Sequence, residues 1–288
     1  MDTVLREPVD NELEGLRVIW ESSFGLDDFD MFMQHYYTPG YCKVVSTGSK
    51  IISAGYLVPV GDLVVSGKKY PCAHVYSLAT LPEYRGKKFG ALVLDALIKC
   101  AKKEGFPAIA ICPSEDSLFE YYKKNSEFID WFYVDEQYLE KAPDNCGENI
   151  HLKSLSAQEY ARKRLELLCE INHMDMNTQA ISYQEKLCNF YGGGFFYASF
   201  DACSACITVE KQKDGSVHVK ELLSAPEHVD DILHAVMKLF PAAQYTVRRP
   251  IYDISAAINP RRHAMIHKSN DFSLEQKTSK SWCGFTFD

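Results

Sequence analysis

Val75-Tyr76-Ser77-Leu78-Ala79-Thr80-Leu81-Pro82-Glu83-Tyr84-Arg85-Gly86-Lys87-Lys88-Phe89-Gly90-Ala91 opens the stretch whose reading decides the fold. Val75 to Thr80 is strand-like and mostly apolar. Pro82 cannot donate to a sheet ladder, so the strand stops there. Arg85 to Gly90 is a short loop with two glycines and three cations. From Phe89 to Ala101 the apolar residues Phe89, Leu92, Val93, Leu94, Leu97 and Ile98 fall at helical spacing, which predicts a helix buried on most sides. Lys102, Lys103 and Gly105 end it, with Pro107 just beyond. A strand from Ala108 to Cys112 follows at once, ended by Pro113.

A strand that runs through a glycine-containing loop into a helix is an anion site. The free N–H groups of the first helical turn point one way, and the helix dipole adds partial positive charge. Glycine allows close approach to the backbone. Arg85, Lys87 and Lys88 add formal charge, and a pyrophosphate is the natural guest.

This stretch resembles the acyl-CoA loop of the GNAT superfamily of N-acyltransferases, Arg/Gln-x-x-Gly-x-Gly/Ala after a strand ending near Val-x-Pro. Arg85 and Gly90 match the outer anchors, whereas Lys88 stands where the middle glycine is expected. A side chain there would crowd the pyrophosphate or force another backbone conformation, with Gly86 supplying some of the missing freedom. Further on, Ser117 to Phe128 looks like the family's Leu-Phe-x-Tyr-Tyr-x-x-x-Gly-Phe helix, with Ser126-Glu127 replacing the single glycine.

The resemblance implies binding of acetyl-CoA as co-substrate and direct transfer of its acetyl group to a primary amine, without an enzyme nucleophile. It implies that Leu78, Ala79 and Thr80 offer backbone groups to the pantetheine arm, where their strand splays from its neighbour. A backbone N–H there would face the thioester oxygen. Arg85, Gly86, Lys87, Lys88, Phe89, Gly90 and Ala91 would hold the pyrophosphate. Tyr122 matches the family's tyrosine that protonates the departing thiolate; the alternative is that Tyr121 or Tyr122 simply packs the helix on the sheet. Ser114 and Glu115 lie near the family's frequent asparagine. His74, Tyr76 and Glu83 flank the strand and offer a proton relay, although each alone reads more simply as structural.

The bulk numbers set the frame. A chain of 288 residues accommodates two domains, and 46% hydrophobic with 24% charged residues describes a soluble globular class. The net charge of −8 argues against nucleic acid as a partner and would suit a cationic amine. No apolar run reaches the ~18 residues that a membrane span needs. Met1 to Glu7 lacks a basic region followed by an apolar core, so a cytoplasmic location with reduced thiols is expected. Of ten cysteines, Cys203 and Cys206 have metal or redox spacing, but they lie in a strand-like run with no second ligand pair, so no metal is expected.

In chain order, a strand at Leu5 to Val9, helices over Glu12 to Ser23 and Asp27 to Tyr36, and hairpin strands Tyr41 to Val45 and Ile51 to Val60 precede the central stretch. Gly61-Asp62 reads as a turn. The aromatic residues of the second helical region, from Phe24 to Tyr41, read as packing or as a wall of the acceptor pocket. Ile129 to Val134 is a strand, and polar residues 141–149 read as a linker.

The second half repeats the order of elements. Ile150 to Leu152 is a strand, and Ser156 caps a helix over Ala157 to Asn172 with Glu159 completing a capping box. Ser182 to Phe190 is a helix; Phe195 to Phe200, Ala202 to Glu210 and Val217 to Ser224 are strands. Leu222 to His228 parallels Leu78 to Tyr84, but Val229-Asp230-Asp231 puts two acids where an anion would bind. Helix Val229 to Phe240 and strand Tyr245 to Arg248 follow, then closing strands at Arg261 to Lys268 and Ser281 to Asp288.

The reading is a mixed α/β protein with two tandem GNAT-like domains: residues 1–140 catalytic, 141–149 a linker, and 150–288 a degenerate GNAT-like domain with closing strands. The expected activity is N-acetyl transfer to a small-molecule or peptide amine. The alternative is a non-catalytic acyl-CoA-binding or regulatory protein. The tail is similar in arrangement to that of the enhanced-intracellular-survival acetyltransferases, which implies that Asp288 brings negative charge to the acceptor amine as a second catalytic residue beside Tyr122. Neither the acceptor's identity nor the oligomeric state is legible.

Overall fold

The computed structural model describes residues 2–25, 28–140, 150–200, 203–252, 257–268 and 281–285. Among them the elements of the first half are β1 (Thr3–Arg6), α1 (Leu13–Phe24), α2 (Phe29–His35), β2 (Cys42–Thr47), β3 (Lys50–Val65), β4 (Lys68–Thr80), α3 (Phe89–Lys103), β5 (Ala108–Ile111), α4 (Asp116–Ser126) and β6 (Ile129–Leu139). The second half contributes β7 (Lys153–Ser154), α5 (Ala157–Leu168), β8 (Asn172–Met176), α6 (Thr178–Phe190), β9 (Gly194–Phe200), β10 (Cys203–Lys211), β11 (Val217–Leu223), α7 (Val229–Leu239), β12 (Tyr245–Pro250), β13 (Pro260–Lys268) and β14 (Ser281–Trp282).

The strands form one mixed sheet in the order β1-β2-β3-β4-β5-β13-β6-β12-β11-β10-β9-β7, with β8 joining β3 to β14 beside this path. Two parallel pairs, β4 with β5 and β11 with β12, sit at equivalent places of the two halves, each joined by one helix. This is the repeat that the sequence predicts. The expected boundary at 141–149 lies outside the described residues, and the sheet itself runs on across the two halves. β13, from residues 260–268, lies between β5 and β6, antiparallel to both. β6 in turn pairs with β12 from Leu139↔Tyr245 to Val134↔Pro250. Each half therefore completes its share of the sheet with a strand from the other.

The central helix follows from its spacing. Val93, Leu94 and Leu97 are fully buried against β2, β3 and β4, and each such side chain contributes roughly 1.5–3 kcal/mol. Leu92 departs from the expectation: it faces solvent at 46% exposure, because a helix laid on one sheet face leaves its far side wet. Gly55 lets α3 approach closely, since a Cβ there would stand 3.1 Å from both Leu97 Cδ1 and Val93 Cγ1.

Three local expectations are corrected. Gly61-Asp62 is not a turn, for β3 runs through it with a bulge between Pro59 and Gly61. Gly61 takes φ +128°, and a Cβ there would lie 2.1 Å from Asp175 O, so this glycine lets β8 pack against β3. The helix expected to Asn172 ends at Leu168, and Asn172–Met176 is a strand instead. Pairing of β8 with Gly61–Val64 and of Arg164 Nη1 with Met174 O at 2.8 Å overrides the local helical pattern. The strand expected at Ile150 to Leu152 forms three residues later, at Lys153–Ser154, where β9 supplies a partner. The capping box at Ser156 and Glu159 forms as the sequence predicts.

The tail is anchored in the second half by a buried carboxylate. Glu221, fully buried on β11, accepts from Arg164 Nε at 2.9 Å, from Tyr160 OH at 2.9 Å and from Trp282 Nε1. Gly284 packs on this group, since a Cβ there would stand 2.6 Å from Arg164 Nη2.

Candidate active site

The site begins where β4 and β5 part. Their parallel pairing runs from Cys72↔Ala108 to Val75↔Ile111 and stops. β5 ends there, while β4 continues to Thr80 with β3 as its remaining partner. At the point of parting Ser77 takes φ +51°, and the β3–β4 register shifts between Ala54 and Tyr56. This bulge turns the strand outward. Beyond it, Leu81 N donates to Ile52 O at 3.0 Å, so alternation turns the Thr80 backbone toward the open edge. There Thr80 O accepts from Arg85 Nε at 3.1 Å.

The loop after β4 is built for a close backbone approach. Gly86 has φ +76° and Lys88 φ +64°. Lys88 thus adopts the left-handed conformation that a glycine would take at no steric cost, and the loop keeps that shape despite the substitution. The first helical bond of α3 is Leu92 N to Lys88 O at 3.2 Å, so the amides of Phe89, Gly90 and Ala91 precede the hydrogen-bonded part of the helix. Around Gly90 there is room: a Cβ there would meet only Thr80 Oγ1, at 3.5 Å. Arg85, Lys87 and Lys88 are exposed, and Lys87 Nζ lies 5.3 Å from the Tyr84 ring centre.

A cavity of about 340 Å³ fills the gap between the parted strands. Leu78 lines one side and Tyr122, on α4, another. Trp20 and Phe24 from α1 and Tyr76 from β4 close a third. Tyr122 is 5% exposed, and burial pushes its phenol well above the ordinary value near 10. It remains protonated at any working pH and is available as a donor.

The structure brings Leu78 and Tyr122 together in this cavity. Ala79, Thr80 and the Arg85–Ala91 loop continue from it along the open edge and do not line it. Ser114 lines the cavity, but Glu115 instead accepts from Ser117 Oγ at 2.7 Å. His74 is buried at 1% exposure, and Glu83 faces outward in an ion pair with Lys50 at 2.9 Å. Of the three relay candidates only Tyr76 lines the cavity. Asp288 lies outside the described residues.

Beyond Asp288, sequence reasoning named no residue of the second half at the site. Arg248, Arg261 and His263 complete the cavity wall from β12 and β13. Arg248 Nε donates to Glu136 Oε2 at 2.6 Å, and Arg261 Nη2 donates to the same oxygen at 2.5 Å. Burial pushes the Glu136 carboxyl up, but the hydrogen bonds from Arg261 and Arg248 outweigh it and hold the group at about 2. His263 Nε2 stands 3.2 Å from Gly284 O. The only signal for these residues was the basic run at Arg261-Arg262-His263, which carries no indication of its partner 125 residues earlier.

A second cavity of about 460 Å³ adjoins the first and shares Phe24, Tyr76 and Arg248 with it. Its remaining wall comes largely from α6, β10 and β11, through Leu187, Glu210, His218 and Lys220. The aromatic cluster of α1 and α2 has the packing role expected from sequence, and part of it lines these cavities. Trp20 packs against Phe29, Phe32, Tyr56 and Tyr76 at ring separations of 5.0–6.1 Å, and its outer members border the cavities.

Comparison with known proteins agrees with this architecture. Residues 12–128 match the model of the acetyltransferase (GNAT) family. Among curated proteins none matches the chain in sequence. Among solved structures, a GCN5-related N-acetyltransferase from Anabaena variabilis is similar at a TM-score of 0.68 and 11% identity, over 93% of this chain and 73% of that one. Eis1 from Mycobacterium abscessus is similar at 0.62 and 12% identity, again over 93% of this chain and 73% of that one. A tandem GNAT protein from the clavulanic acid biosynthesis pathway is similar at 0.58 and 14% identity, over 94% of this chain and all of that one. At such identities the likeness concerns the fold. With the parted strands, the loop and the helix all inside the matched residues, the chain carries a GNAT-family acetyltransferase domain at residues 12–128, within a fold shared with tandem GNAT proteins.

Proposed function

We propose that the chain is an N-acetyltransferase that moves an acetyl group from acetyl-CoA to an amine by direct attack, and that it acts in the cytoplasm. The observation that carries this reading is the opened edge of β4. It is flanked by a helix N-terminus in a left-handed loop and faces a buried tyrosine across one cavity. These residues fit the co-substrate. The amides of Phe89, Gly90 and Ala91 would hold the pyrophosphate, and the vacant space at Gly90 admits it. Arg85, Lys87 and Lys88 would add charge, and the open backbone from Leu78 to Thr80 would take the pantetheine arm. Acetyl-CoA supplies the activated thioester.

Tyr122 donates to the sulfur as the carbon–sulfur bond breaks. Its raised pKa does not forbid this, because the desolvation that raises the phenol also raises the proton affinity of a thiolate in the same wall. Under this reading residues 1–140 supply the cofactor loop, and 150–288 supply Arg248, Arg261 and His263 but no second phosphate loop. Asp230 and Asp231 at the start of α7 would repel one.

The test is amine-dependent release of CoA thiol over a panel of primary amines. Gly90→Glu should abolish it, because the new carboxylate projects into space that the fold leaves empty and repels the phosphates. Release that is independent of amine, or that survives Gly90→Glu, would overturn the reading.

A further inference from the structure

Three charged side chains in the wall of the second cavity are more than nine-tenths buried: Asp28 at 2%, Glu210 at 6% and Lys220 at 3% exposure. Lys220 Nζ stands 3.4 Å from Glu210 Oε1, and Cys188 Sγ donates to that oxygen at 3.3 Å. Trp20 Nε1 donates to Asp28 Oδ1 at 3.0 Å. Arg248, 12% exposed at its side chain, stands where the two cavities meet. Taking ions out of water is expensive, and an apolar substitute usually serves stability as well or better. Holding both signs at the wall of a cavity therefore points to a polar occupant.

The wall carries both signs without an acidic excess. Its acids are Asp28, Glu210 and Asp214, and its cations are Lys211, Lys213, Lys220 and Arg248, the last also held by Glu136. A polycation would need an acidic excess, as the chain's net charge of −8 suggests when taken alone. The cavity wall does not carry that excess. A ligand with one ammonium and one anionic group meets both signs at once, and leaves neither buried charge facing an apolar surface.

We propose that the second cavity is the acceptor site, and that the acceptor is an amine bearing its own carboxylate or phosphate. The proposal rests on the acetyl-transfer reading and specifies its substrate class. The anionic group lies toward Lys220, in the part of the wall that the first cavity does not share. The amine lies toward Phe24 and Tyr76, which open onto the cavity between the strands.

The test uses amines matched except for the acid: lysine against cadaverine, ornithine against putrescine, and O-phosphoethanolamine against ethanolamine. The acid-bearing member of at least one pair should show kcat/KM higher by about tenfold or more. The amino-acid and phosphate pairs distinguish the two kinds of anion. Equal or faster turnover of the unadorned amine in every pair overturns the proposal and leaves the transfer reading intact. Calorimetric titration of the same pairs into the CoA-saturated full chain separates the other case. Tighter binding of the acid-bearing member without turnover supports the site and removes the transfer reading, whereas no binding preference overturns the site.

The double variant Glu210→Gln with Lys220→Met removes both charges together, so neither is stranded. It should erase the preference while acetyl-CoA affinity holds. A preference that survives in the folded double variant also overturns the proposal.

Discussion

Under the acetyl-transfer reading, Tyr122 acts on the sulfur and Lys88 on the cofactor loop. Tyr122→Phe keeps the ring packed against Phe128, 5.9 Å away between centres, and removes only the hydroxyl. Turnover should fall by about 10²-fold or more with little change in acetyl-CoA affinity. Unchanged turnover would end the assignment. Lys88 at φ +64° holds a conformation that disfavours a side chain. Lys88→Gly should therefore raise stability by roughly 0.5–1 kcal/mol in chemical denaturation, after allowing for glycine's extra freedom when unfolded. It should also weaken CoA modestly and flatten the salt dependence, since one cation is lost. Tightening by several-fold would instead make Lys88 an obstruction to the cofactor. Both residues were legible in the sequence as identities. The left-handed backbone at Lys88 was not, because a lysine gives no local sign of it.

At the scale of the element, what the sequence discloses is contact between neighbours along the chain. The strand, loop, helix and strand from Tyr70 to Ile111 lie almost where their periodicity put them. The bulge at Ser77 was not legible, since Ser77 carries neither glycine nor proline to mark it. The insertion of β13 between β5 and β6 was not legible either, because the pairing of Met265 with Ile111 joins residues far apart in sequence. Periodicity shows that a segment is a strand, not which edge it will find. Glu136 on β6 secures this junction through Arg248 and Arg261.

That junction sets an acid limit. The carboxyl of Glu136 sits at about 2 in the fold against an ordinary 4.5. A depressed folded value means stability that is present above the ordinary value and lost as pH falls from about 4.5 toward 2. The contribution is on the order of 3 kcal/mol. Denaturation curves at pH 7, 4 and 3 should show this part of the loss in the native protein and its absence in Glu136→Gln, which begins less stable at pH 7. Parallel acid profiles for the two proteins would contradict the assignment.

At the scale of the whole molecule, the two halves have the same order of elements and different chemistry. The first has the left-handed loop and cations before α3; the second has Asp230 and Asp231 at the start of α7. That contrast was legible in the sequence, since charge and glycine content are local. Which residues of the second half line the cavities was not, because Arg248, Arg261 and His263 reach the first, and Glu210 and Lys220 the second, only once the sheet is assembled.

The most direct measurement is calorimetric titration of the full chain with acetyl-CoA. One site per chain is expected, lost in Gly90→Glu and kept in Asp230→Ala. Two sites, no site, or a site indifferent to Gly90→Glu would contradict it.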